Sequence, residues 1–129
     1  MGDSMDQKAQ VKASFRGLKV WERARDLAID VHRTTAGFPR HELFGLTAQL
    51  RSSAISVPAN IAEGKGRRSG PDFIRFLRIA AGSLAELETY FDIAEPLTYL
   101  KPDDRARLQA KADEVGKMLY GLIDKLQSS

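Results

Sequence analysis

From Phe73 to Ala94 an apolar side chain falls at every third or fourth position: Phe73, Leu77, Ala80, Leu84, Leu87, Phe91 and Ala94. Such steps keep all seven on one stripe of a helix with 3.6 residues per turn, whereas a half-buried strand needs alternation with period two. The rhythm recurs three times more. Val20, Ala24, Leu27, Val31 and Thr34 carry it, widened by Trp21 and Ala28; so do Leu43, Leu46, Leu50, Val57 and Ile61; so do Leu108, Ala112, Val115, Leu119, Leu122 and Leu126. No segment alternates over strand length. Four helices that each hide one stripe are satisfied by packing around a shared core.

The punctuation between stripes agrees. Gly37 permits a left-handed cap on the first helix and Pro39 forbids its continuation. The second helix is expected from about Glu42 to Glu63, stopped by Gly64, with a kink near Ala54 because Pro58 removes a donor. Ser69 caps the third helix, Asp72 can close a capping box, and Pro96 ends it. Pro102, followed by Asp103 and Asp104, opens the fourth. Helices of roughly 27 to 39 Å can lie side by side. Loops of about six or seven residues favour antiparallel neighbours. The expected fold is therefore all-α: an antiparallel up-down-up-down four-helix bundle over residues 15–129, preceded by a polar, disordered tail over 1–14.

A chain of 129 residues buries a core without staples. It has no cysteine, which removes disulfide and thiolate chemistry and fits a cytoplasmic protein. Its apolar runs are only a few residues long, so no membrane partner is expected.

The second helix carries more than a core stripe. Gln49, Ser52, Ser56, Asn60 and Glu63 line a small, polar face beside the apolar one, and that face requires its own partner. Gly82-Ser83 interrupts the third helix, where glycine costs about 1 kcal/mol relative to alanine. A close approach of another element at Gly82 would account for it. Asn60, Glu63, Gly82, Ser83 and Glu86 are therefore assigned to a packing or assembly interface, within the bundle or between subunits. The helix dipole disfavours Glu63 in a last turn, which predicts a compensating partner such as Arg51 or Arg78.

Charge is unevenly placed. Fourteen Lys and Arg face eight Asp and Glu before residue 80, and six face nine after it. The excess gathers at Lys65, Arg67, Arg68, Arg75 and Arg78, with Arg51 as an outlying member. Such a cluster suits a polyanion, since neutralised phosphates release counterions. A solvated basic surface is the competing reading. Trp21, Phe73, Phe76 and Phe91 sit at or beside core positions and are read as packing, not as base-stacking platforms.

Catalytic and metal patterns are missing. His32 and His41 have no glutamate three residues before them, as a di-iron bundle needs. Glu86 and Glu88 point to different helix faces and form no carboxylate pair. Lys65-Gly66-Arg67-Arg68 fits neither the P-loop nor the dinucleotide fingerprint. No enzyme activity, metal, cofactor or small-molecule substrate is expected.

Several blocks carry a resemblance: Gly45-Leu46-Thr47, Gln49-Leu50-Arg51, Ser56-Val57-Pro58-Ala59-Asn60-Ile61-Ala62-Glu63-Gly64, Phe76-Leu77-Arg78-Ile79-Ala80 and Gly82-Ser83-Leu84-Ala85-Glu86-Leu87-Glu88. With them, residues 15–126 resemble the four-helix-bundle family named for open reading frames in intervening sequences of bacterial 23S ribosomal RNA genes. The chain is also similar to the accessory variability proteins of diversity-generating retroelements. The resemblance implies a ring-shaped homo-oligomer, a pentamer, without enzymatic activity, with RNA or a nucleoprotein complex as partner. Ser52 and Ala81 stand where family members often carry arginine, which thins the positive charge. The expected function is an oligomeric binding or scaffold protein with a basic patch. The alternative is a protein–protein interaction module without nucleic-acid affinity.

Overall fold

The structure, a computed structural model, describes residues 14–128. The expected tail, apart from Ser14, lies outside the described residues. Four helices follow in order: α1 Lys19–Thr35, α2 Leu46–Lys65, α3 Gly70–Ala94 and α4 Pro102–Gln127. Single 3₁₀ turns at Phe15–Gly17 and Arg40–Glu42 precede α1 and α2, and no strand occurs among the described residues. α1 and α3 each pack against both α2 and α4. No described helix is long and apolar enough to cross a membrane.

The core is the set of stripes turned inward. Leu27, Leu50, Ile61, Leu77, Leu87, Phe91, Leu108, Leu119 and Ile123 are buried, and Phe38 and Leu100 join them from the loops. Fully burying a side chain of this size contributes about 1.5–3 kcal/mol. The stripes slip at two helix ends. α1 buries Thr35 instead of Thr34, and α4 buries Ile123 while Leu122 and Leu126 are half-buried. Alternating steps of four and three average 3.5 residues per turn, and a straight helix drifts about 20° per heptad away from that repeat. Over the two heptads from Val20 to Thr34, and from Leu108 to Leu122, that drift amounts to about 40°, which turns the last position toward the edge of the stripe.

Three expectations about boundaries are corrected. α2 begins at Leu46, so Leu43 lies before it and is 47% exposed instead of buried. The Glu42 carboxylate accepts from the Leu46 N–H at 3.2 Å and caps the new start. At the other end α2 runs through Pro58 and past Gly64 to Lys65, so Gly64 is a helix residue and not a stop. Among the described residues no glycine has a positive φ, Gly37 included; the left-handed position is Thr98, at φ 64°. There the Thr98 N–H donates to the Glu95 carbonyl at 2.9 Å and the Tyr99 N–H to the Ala94 carbonyl at 3.1 Å. This is the Schellman pattern that closes helices, with threonine where glycine is usual.

The third helix opens as its sequence predicts, with Ser69 Oγ accepting from the Asp72 N–H at 3.1 Å. The Asp72 carboxylate does turn elsewhere, accepting from Arg75 Nε at 3.1 Å.

Charged side chains tie the helices laterally. Asp30 on α1 receives Arg107 Nε at 3.0 Å, Arg107 Nη2 at 2.9 Å and Lys111 Nζ at 2.8 Å, all from α4. Its side chain is only 14% exposed. Hydrogen bonding from the Arg107 guanidinium, then from Lys111, holds the Asp30 carboxyl well below the usual carboxylate range despite partial burial. The same bond raises Arg107 further above its already high value. Between α3 and α4, Arg105 bridges Asp92 at 2.6 Å and Glu95 at 3.3 Å, and Gln109 donates to Glu88 at 2.7 Å.

Candidate nucleic-acid interface

The end of α2 and the start of α3 are pressed together because Gly64 has no side chain. A Cβ on buried Gly64 would stand 2.7 Å from Phe76 Cβ, 2.9 Å from Phe73 Cδ1 and 3.2 Å from the Phe73 carbonyl oxygen. Glycine is required here by close approach, and its φ is ordinary. With the helices so close, the connection over 66–69 is short and exposed. It carries Arg67 and Arg68 directly beyond Lys65, where the negative end of the α2 dipole favours cations.

Phe76 organises two of these cations. The Arg67 guanidinium lies 4.7 Å from the Phe76 ring centroid and that of Arg75 lies 4.5 Å from it. Stacking of this kind is worth about 0.5–1 kcal/mol at exposed sites and fixes the direction of a planar guanidinium. Each arginine also has a carboxylate one helical turn away: Arg67 pairs with Glu63, and Arg75 with Asp72 at 3.0 Å. Lys65, Arg68 and Arg78 form no ion pair among the described residues, with Arg78 nearly one turn beyond Arg75. A further cation comes from the 3₁₀ turn before α1. The Arg16 guanidinium lies 4.5 Å from the Phe15 ring centroid, and Phe15 shares with Ala59, Ala62, Glu63, Gly66 and Arg67 a groove of about 390 Å³. Periodicity could not place Arg16; the capping serine Ser14, whose Oγ accepts from the Arg16 N–H at 3.2 Å, is the local signal for the turn.

The remaining sequence-selected residues lie elsewhere. Arg51 is fourteen positions before Lys65 on α2, about 20 Å away. It turns inward, donating from Nε to Thr35 Oγ1 at 2.9 Å and from Nη2 to the His32 carbonyl at 3.2 Å. The expected partnership of Glu63 with Arg51 or Arg78 is therefore corrected: its partner is Arg67, and both side chains are about half exposed. The polar stripe of α2 meets α3 of the same chain. Ser56 Oγ lies 2.8 Å from Ser83 Oγ, and Asn60 Nδ2 donates to Ser56 Oγ at 2.9 Å and to the Ser56 carbonyl at 2.8 Å. Gly82 meets no other element of its own chain: it is exposed, and a Cβ there would find nothing within 4 Å, which leaves the approach of another subunit as the reading of this glycine. Glu86 is exposed one turn beyond it.

At the opposite end of α2 stands Phe44, which no stripe or motif marks and which is 93% exposed beside half-exposed Leu43. The neighbouring Tyr99 hydroxyl is 3.4 Å from His41 Nε2, and its pKa is raised by loss of solvent and then by the Glu42 carboxylate.

Comparison with solved structures gives a protein of unknown function from the S23 ribosomal protein family of Bacteroides thetaiotaomicron. It is 23% identical with a TM-score of 0.76, over 81% of this chain and 95% of that one. That likeness speaks to the fold. No curated protein matches. The sequence pattern of the 23S rRNA-intervening sequence proteins matches residues 16–121, which span the 3₁₀ turn, all of α1 to α3 and most of α4. The chain belongs to the family of 23S rRNA-intervening sequence proteins.

Proposed function

We propose that the protein is a non-enzymatic, oligomeric binding protein, an antiparallel four-helix bundle that contacts RNA phosphates through the basic end of α2 and α3. One observation carries this reading. Lys65, Arg68 and Arg78 lack ion pairs among the described residues, while Arg67 and Arg75 are stacked on Phe76 beside them. Cations without internal partners are available to phosphate, and stacked arginines are already oriented. No groove-reading element accompanies them among the described residues, so the binding proposed is sequence-tolerant and dominated by the backbone. In a ring-shaped homo-oligomer, a pentamer in the favoured form, the patch would recur about one axis and raise avidity.

A titration of labelled RNA at about 50 mM and about 200 mM salt tests the reading. For four phosphate contacts the affinity falls about a hundredfold across that range. Lys65, Arg68 and Arg78 changed together to alanine abolish it. Absence of binding at the lower salt, or binding indifferent to the triple change, overturns it.

Phe44 favours the second reading, a protein–protein interaction module. A phenylalanine 93% exposed beside half-exposed Leu43 is the kind of aromatic anchor that partner chains cover. Phe44→Ser then lowers the mass of the assembly or its affinity for a protein partner, and leaves RNA affinity unchanged.

A further inference from the structure

The turn before α2 leaves one large side chain with nothing to cover it. Phe44 is 93% exposed, and Leu43 beside it 47%. Backbone hydrogen bonds fix the chain on both sides of the ring: the Leu43 N–H donates to the Arg40 carbonyl at 3.1 Å and the Gly45 N–H to the Glu42 carbonyl at 3.0 Å. A phenylalanine buries about 150–250 Å² when it is covered, and in this chain Phe44 buries almost none of it. The concavity under the turn does not take the ring. That cavity, about 160 Å³ between Thr35, Phe38, Leu43, Thr47 and Arg51, holds an oxygen without a hydrogen-bond partner, Thr47 Oγ1, but the oxygen is sealed from any second molecule.

A matching recess lies between α3 and α4. A groove of about 330 Å³ runs there over Ala81, Leu84, Ala85, Ala112 and Gly116. A cavity of about 150 Å³ holds one benzene ring, so this groove has room for the Phe44 ring and Leu43 together. Two glycines at the groove have no role inside the chain. A Cβ on Gly116 would stand at an ordinary 3.4 Å from Leu84 Cδ2, and one on Gly82, next to groove-lining Ala81, would meet nothing within 4 Å. Alanine at either position would strengthen its helix. What the glycines provide is room for something from outside.

Charge matches as well. Glu88 and Asp113 on the rim both accept from Gln109 Nε2, at 2.7 and 2.9 Å, and no cation among the described residues pairs with either. Arg105, which donates to the Oε1 of the same amide, already pairs with Asp92 and Glu95. Lys117, also on the rim, forms no ion pair with them. Arg40, four residues before Phe44, is exposed and likewise has no carboxylate among the described residues. The turn lies in the half of the chain with more cations than acids, and the groove in the half with more acids. Complementary potentials of this kind fix the register of an interface.

We infer that Phe44 of one copy of this chain seats in the α3–α4 groove of a second copy, with Arg40 against Glu88 and Asp113. The contact joins different surfaces on the two copies, so it propagates from copy to copy and closes into a ring where the rotation permits. The inference rests on the oligomeric part of the reading above and is independent of RNA, since it uses no residue of the basic end.

Phe44→Ser removes the knob and Ala85→Arg blocks the groove, each at an exposed position. Sedimentation of the nuclease-treated full chain should show the parent as an oligomer. Each variant should dissociate at least about thirtyfold more readily, the loss expected of a central aromatic anchor. Neither variant then assembles alone. An equimolar mixture does so once: the intact Phe44 of the Ala85→Arg chain enters the intact groove of the Phe44→Ser chain, and growth stops at a pair. The mixture should reach twice the single-chain mass by about 100 μM. Melting curves check that both variants fold, and Phe44→Gln and Ala85→Lys stand in for either that does not. A monomeric parent overturns the oligomeric reading and this interface with it. An oligomeric parent whose mass survives either substitution, or a mixture that stays at single-chain mass, overturns the interface alone.

Discussion

The two ends of α2 are built from opposite kinds of fit. At its C-terminal end Gly64 lets Phe73 and Phe76 close in until no further atom fits, and the cations outside pair with carboxylates a turn away or face solvent. At its N-terminal end a cavity persists, a hydroxyl lacks a partner, a half-buried arginine lacks a carboxylate, and Phe44 stands in water. The first end spends its residues on holding two helices together. The second keeps interactions in reserve. Residues at the two ends of one helix can thus serve different purposes, and the deciding quantity is whether each group's demand is met inside the chain.

That contrast can be broken most forcefully at Gly64. Gly64→Ala puts a methyl against the root of Phe76 and the backbone of Phe73, neither of which can swing aside. Overpacking of this kind costs about 3 kcal/mol, more than alanine's helix propensity returns. Gly82→Ala is the control: with nothing within 4 Å of its Cβ, it stabilises the monomer fold by about 0.5–1 kcal/mol. Urea denaturation of both variants measures the difference. If Gly82→Ala lowers oligomer mass while the fold is unharmed, Gly82 meets another copy.

Asp30 comes next. Asp30→Asn removes the anion that Arg107 and Lys111 share, at a cost of about 1.5–3 kcal/mol for charged hydrogen bonds at a site only 14% exposed. The native carboxyl is depressed, so its contribution is complete above the ordinary aspartate pKa of about 3.9. It is lost as the pH falls from there toward the lower native value. Thermal melts between pH 7 and about pH 2 should show the variant losing less stability on acidification than the parent. Equal losses would mean that Asp30 does not carry the pair.

The smallest effect belongs to Glu63. Its pairing with Arg67 is between side chains 55% and 41% exposed, so Glu63→Ala costs under about 1 kcal/mol. It also frees Arg67 from its carboxylate, and RNA affinity at low salt should rise slightly. A stability loss several times larger would place Glu63 in a tighter environment than its exposure indicates.

The four helices were legible in the sequence because each stripe is a local pattern repeated over many turns. What failed was geometry that depends on a second element. Gly82 breaks a helical pattern conspicuously and meets nothing in its own chain, while Gly64, in the place of a stop, is where another helix of the chain arrives. Both are single letters in a helical context, and only the position of α3 tells them apart. The basic residues from Lys65 to Arg75 were readable as a cluster because two adjacent helices and a short loop keep sequence neighbours close. Arg51 was grouped with them by residue type, and about 20 Å of helix separates it from them. Thr47 and Phe44 were silent for a different reason: an unmet hydrogen bond and an uncovered ring are properties of surroundings, not of residue types.

Thr98 extends the contrast across the molecule. A β-branched residue at φ 64° is held in a conformation that costs about 1–2 kcal/mol. That energy fixes the direction in which the chain leaves α3, and the next residue, Tyr99, is delivered onto Phe38 with ring centroids 5.9 Å apart. Phe38 is a wall of the cavity at the start of α2. The wall is therefore braced by a turn sixty residues downstream in sequence, as a keystone is held by the far side of an arch. Evolution could retune the cavity by altering the handedness of that distant turn while leaving every residue of α1 and α2 untouched.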